Sequence, residues 1–154
     1  MPVKKTSKLQ YARLADEAAI RLADTKIPPE GWLASIRKAI GMSGPQLAKR
    51  LHLTKAAVYQ AERKELEGAI SIKQLQKLAQ SMNSQLVYAI IPNKTVNEIV
   101  FDQAKVKAES LVQQASIQMS LEQQSLSEEQ IQEEIIRVAQ EIASEMPSDL
   151  WDQD

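Results

Sequence analysis

Residues 43–65, SGPQLAKRLHLTKAAVYQAERKE, decide the fold. Ser43 followed three residues later by Gln46 is a capping box, in which a hydroxyl and an amide satisfy the unpaired backbone donors that open a helix. A helix is expected from Gly44 to about Leu51. The tripeptide LHL then makes a tight turn, and Thr54 caps a second helix. Successive helical residues are rotated by about 100°, so Lys55, Ala56, Tyr59, Gln60 and Arg63 share one arc of about 140°. Only Ala57, Val58 and Ala61 occupy the other side. The second helix therefore has a small apolar face for a neighbour and a broad basic, amide-bearing face for something else.

Two short helices joined by a tight turn, with a small residue where they cross, define a helix-turn-helix unit. Ala48 is that small residue, and Leu47, Leu51, Val58 and Ala61 form the apolar seam. The outward arc of the second helix is then sized for the major groove of double-stranded DNA. Amides and cations read base edges and a methyl group meets a thymine methyl, which assigns base contacts to Lys55, Ala56, Tyr59 and Gln60. Hydroxyl and cationic groups nearby serve the phosphates, which assigns Ser43, Lys49, Arg50, Thr54, Arg63 and Lys64. Charged residues on a helix also serve simply as a solvated face; the seam, turn and caps around this one favour DNA.

Working outward, residues 7–24 carry Tyr11, Leu14, Ala15, Ala18 and Leu22 as the stripe of an amphipathic helix. TKIPPEG interrupts it, and Pro29 suits the first turn of a following helix that buries Leu33, Ile36 and Ile40 and stops at Gly41. Residues 71–82 repeat the stripe with Ile72, Leu75, Leu78, Ala79 and Met82. Leu86, Val87, Tyr88, Ala89, Ile90 and Ile91 form a short apolar run closed by a proline and read as a β-strand. Such a strand must find a partner for its backbone groups. A two-fold copy would supply one and give a homodimer; GAISI at 68–72, or a covering helix, is the intramolecular alternative.

Two more helices are expected beyond the strand, one over residues 95–120 and one opened by the Ser127/Gln130 capping box and stopped before Pro147. The expected organisation is an N-terminal helix at 1–28, a helix-turn-helix domain at 29–84, a dimerisation strand at 85–92 and a helical region at 93–154. The fold class is thus all-α, with one short β-strand.

Charge divides the chain in the same way. Residues 1–94 hold 16 Lys and Arg against 7 Asp and Glu, whereas residues 95–154 hold 3 against 13. A basic half beside an acidic half suits a polyanion-binding part joined to one that avoids or regulates that contact. The acidic helices pack on the body of the protein or on a second copy, or else offer a docking surface. Trp151 in the tail PSDLWDQD is either an anchor for a partner or tucked against its own helices. With no cysteine, no disulfide or thiolate metal site is possible, and with a single histidine, His52, no convergent catalytic constellation is visible, so neither enzyme activity nor a cofactor is expected. The absence of a long apolar run or signal-like start points to a cytoplasmic protein away from membranes.

The stretch IRKAIGMSGPQLAKRLHLTKAAVYQAERKE, residues 36–65, resembles the DNA-binding domain of phage-repressor-like, Xre-type regulators. The resemblance implies a structural ion pair between Arg37 and Glu62. Two positions depart from that pattern: Gly44 stands where a phosphate-contacting glutamine is usual, and His52 where the turn glycine is usual. Histidine tolerates the left-handed conformation better than most residues.

IPPEGWLASIRKAIGMSGPQLAKRL, LVYAIIP, QMSLEQQSLS and the terminal LWDQD extend the likeness over nearly the whole chain, to the family called mobile mystery protein A. Members are typically encoded beside a Fic-domain protein. The resemblance implies an autorepressor and antitoxin for such a partner, or an antitoxin acting mainly by direct inhibition. Ser125 and Glu129 fit the start of one inhibitory Fic-binding motif, but Gln130 departs from its end, so that motif is not assigned.

Overall fold

The computed structural model describes residues 2–123 and 125–153. Gln124 and Asp154, which belong to the stretches 118–127 and 150–154 quoted above, lie outside the described residues. Seven helices are described: α1 (Pro2–Leu22), α2 (Trp32–Ala39), α3 (Gly44–Leu51), α4 (Lys55–Glu67), α5 (Ile72–Ser81), α6 (Val96–Leu121) and α7 (Glu128–Glu145). They form two compact units, residues 23–89 and residues 1–22 with 90–154.

In the first unit, α2 to α5 enclose a core of Leu33, Leu47, Ala48, Val58, Leu78 and Met82. Val58, on the small face of α4, is 0% exposed. Ala48 lets α3 and α4 approach closely, and Leu51 and Ala61 close the seam from its margins. Caps set the boundaries. Ser43 Oγ accepts the Gln46 N–H while Gln46 Oε1 accepts the Ser43 N–H, and Thr54 Oγ1 accepts the Ala57 N–H. Ser71 and Gln74 repeat the capping box at α5.

Several expectations need correction. Helix α2 begins at Trp32 rather than in the turn opened by Pro29, because Gly31 is its N-cap. Ile40 and Ile72, expected in the core, are exposed. Each sits at a helix margin, where a half-turn moves a side chain off the buried stripe.

Leu86, Val87, Tyr88, Ala89, Ile90 and Ile91 form no β-strand: the whole run lies outside regular secondary structure, and no strand occurs among the described residues. Val87 is 77% and Ile90 94% exposed. Strand propensity describes the fit of side chains to a pleated, half-buried surface; it creates a strand only where a second strand lies alongside. Within this chain GAISI offers no ladder, since residues 68–71 cap α4 and α5.

In the second unit, α6 and α7 pack against each other as a helical hairpin. Its core is Ala104, Ala108, Val112, Ile135, Ala139 and Leu150. Ala104 and Ala108 stand one turn apart on α6 and meet Ala139 on α7, so the small residues permit close backbone approach. The C-terminal segment folds back on this hairpin. Leu150 is buried, Gln103 Nε2 donates to its carbonyl at 2.9 Å, and Lys107 pairs with the Asp149 carboxylate at 2.8 Å.

Helix α1 packs against α6, and the Val96 N–H donates to Asp16 Oδ1 at 3.0 Å. The Tyr11 and Leu14 side chains, expected on a buried stripe, are exposed. Trp151 is 58% exposed beside the buried Leu150. No helix among the described residues is long and apolar enough to cross a membrane.

Candidate nucleic-acid interface

The turn between α3 and α4 is built by the backbone. His52 adopts φ 55°, ψ 38°, the left-handed conformation, and the Leu53 N–H returns to the Ala48 carbonyl at 2.9 Å. The helix ends in the arrangement that glycine usually provides, here with an imidazole on the surface. Helix α4 then leaves at an angle fixed by the seam, with Lys55, Ala56, Gln60 and Arg63 exposed along one side.

Of the other residues expected at phosphates, Ser43, Lys49 and Thr54 are exposed, and Lys64 is half-buried. Ser43 and Thr54 use their side-chain oxygens as caps. Arg50 is also exposed, but its Nε–H donates to the Ser81 carbonyl at 3.0 Å, tying the end of α3 to the end of α5.

Two acidic residues hold α4 onto α2. Glu62 Oε1 accepts Arg37 Nε–H at 2.6 Å and Glu62 Oε2 accepts Nη2–H at 3.2 Å, a bidentate pair, while Arg37 Nη1–H reaches the Met42 carbonyl at 3.0 Å. Arg37 is buried. The hydrogen bond to Glu62 holds its guanidinium above the usual arginine value, outweighing the opposing effect of burial. Three donors satisfied in a fixed fork make this pair a geometric lock.

The second lock was not anticipated. Glu65 Oε1 accepts the Trp32 N–H at 2.7 Å and Oε2 accepts the Leu33 N–H at 3.0 Å, so a carboxylate from α4 caps the start of α2. Gly31, at φ 82°, supplies no side-chain cap, and a Cβ there would lie 2.8 Å from Glu65 Oε2. The available signal was an uncapped helix start facing an unassigned acidic residue one turn beyond Glu62.

Tyr59 differs from its neighbours on the outward arc. It leans back along α4, with its ring centroid 5.7 Å from the Arg37 guanidinium carbon and its tip against Gly44. The glycine at this position is thus a packing requirement.

Two helices crossing on small residues around a tight turn, with the second presenting an exposed polar and basic face, make a DNA-binding helix-turn-helix domain. Residues 33–88 match the helix-turn-helix family profile, of the Xre type, and the chain carries that domain. No curated protein and no solved structure matches the chain.

Proposed function

We propose that the protein is a sequence-specific transcription regulator whose α4 enters the major groove of an operator. The observation that carries this is the exposure of Lys55, Ala56, Gln60 and Arg63 on one side of a helix whose opposite side is locked to α2 and α3. Lys55, Ala56 and Gln60 read bases, with Tyr59 on the same arc. Ser43, Lys49, Arg50, Thr54, Arg63 and Lys64 meet the backbone.

The regulator acts as a homodimer. Supporting this, residues 86–91 are an apolar run outside regular secondary structure in which Val87 and Ile90 are exposed, and a second copy would cover them. Two copies would also match half-sites about 10 base pairs apart.

The finer reading is autorepression of an operon shared with a Fic-domain protein, for which this chain is the antitoxin. Its support is the resemblance carried by residues 27–51, 86–92, 118–127 and 150–154, together with the acidic surface of α7. The test is selection of duplexes from a random-sequence pool, titration of the winners at several salt concentrations, and co-purification with a neighbouring gene product. A single enriched palindrome and a steep salt dependence are expected. Equal retention of all sequences would overturn the specific-regulator reading.

A further inference from the structure

Resting on the reading of α4 as the groove helix, we propose that Tyr59 grips the DNA backbone through its hydroxyl and takes no part in reading bases. Its ring is held on two sides. Arg37, itself fixed by Glu62 and the Met42 carbonyl, lies 5.7 Å from the ring centroid. At the other side the ring tip rests on Gly44, the first residue of α3, where an added Cβ would lie 2.6 Å from both Cζ and Oη. A phenol so confined cannot swing to a base edge without giving up the cation–π contact and uncovering the buried Gly44.

The direction of this lean fixes the ligand chemistry. When the second helix of the motif enters the groove, the first crosses the phosphate backbone. A side chain that starts on α4 and ends on the first turn of α3 therefore finishes at the groove wall, among phosphate oxygens. Tyr59 is 39% exposed, so its hydroxyl can donate to an oxygen arriving there. The base-reading set contracts to Lys55, Ala56 and Gln60.

The experiment compares the full chain with Tyr59→Phe, which keeps the ring and its packing. Each protein selects from the random-sequence duplex pool and is titrated against the wild-type winner and against point-mutated copies at several salt concentrations. Tyr59→Phe is expected to weaken every duplex about fivefold while leaving base preferences unchanged. The salt slope stays the same, because a neutral donor releases no counterion. Gly44→Ala in the Tyr59→Phe background adds less loss than it does alone, since both disturb one contact. A changed base preference in Tyr59→Phe, or undiminished affinity, would overturn the assignment while the wild-type chain still selects an operator. If the wild-type chain enriches no sequence, the groove-helix reading fails first and the assignment goes with it.

Discussion

The carboxylate of Glu65 on α4 accepts the backbone N–H of Trp32 on α2 at 2.7 Å. Its other oxygen takes the Leu33 N–H, so the orphan donors at the start of α2 are satisfied from the distal half of α4. With the Arg37–Glu62 pair one turn earlier, this fixes α4 to both ends of α2. Glu65→Ala is expected to destabilise the chain by about 1 to 2 kcal/mol, the ordinary cost of losing an N-cap. Glu65→Gln, which keeps one acceptor, should recover part of it. Urea unfolding followed by circular dichroism checks both; equal stability of all three proteins would refute the cap.

The Arg37–Glu62 pair predicts a different pattern. Removing Glu62 alone strands a buried guanidinium, and Glu62→Ala should cost about 3 kcal/mol or more. Replacing both partners with apolar residues of similar size, Arg37→Met with Glu62→Leu, leaves no uncompensated charge and should cost less than the single change. Denaturant midpoints of the wild type, both single variants and the double variant form the cycle. Additive losses would contradict it.

Local signals made much of this fold legible. The capping pairs Ser43/Gln46 and Ser127/Gln130 each lie within four residues, so their geometry follows from short-range chemistry alone. The same is true of the seam through Leu47, Ala48 and Val58, because helical periodicity fixes which side chains share a face. What failed depended on distant partners. The run Leu86–Ile91 has strand-like composition, but a ladder needs a neighbour that this chain does not provide. Glu65 caps a helix start 32 residues earlier in the chain, a partner that no local pattern around it specifies. Tyr59 and Gly44 are 15 positions apart, and neither residue announces that the ring of one lies on the backbone of the other.

His52 holds a left-handed conformation that costs a non-glycine residue about 1 kcal/mol. His52→Gly should therefore raise the melting temperature, and by several degrees if the added freedom of the unfolded chain does not cancel the gain. His52→Val, with a β-branched side chain at positive φ, should lower it clearly. Thermal unfolding of the three proteins gives the order. A valine variant as stable as wild type would mean that the turn relaxes without resisting.

Specificity and affinity should separate by position on the interface. Gln60→Ala removes the side chain proposed to read a base and is expected to cost about 1 to 3 kcal/mol on the preferred operator and relax its choice. Lys49→Ala is expected to weaken all duplexes alike and reduce the salt slope by about one. Titrations of both variants on an operator mutated one base pair at a time distinguish the two. Identical base preferences in wild type and Gln60→Ala would remove Gln60 from the reading set.

Acid should loosen the α6–α7 unit through three carboxylates held below their ordinary values. Glu98 is lowered by the Thr95 hydroxyl and backbone N–H, Glu134 by its hydrogen bond to Arg137, and Asp149 by its hydrogen bond to Lys107. Each is better stabilised as an anion in the folded chain than in the unfolded one, so folding gains from it at neutral pH. That gain is complete above the ordinary carboxylate values of 4.5 for Glu and 3.8 for Asp, and it is lost as pH falls through the lower folded values. The cationic side contributes no change there: Arg137 and Lys94 are raised, so both stay charged throughout the acid range. Trp151 belongs to this unit and Trp32 to the other, which lets Trp32→Phe report the unit by its remaining indole. The urea midpoint seen by Trp151 should hold steady from about pH 8 to 6 and decline below about 4.5. In the same background, Glu98→Gln, Glu134→Gln and Asp149→Asn together should start lower and decline less. An acid profile unchanged by all three substitutions would show that other groups govern it.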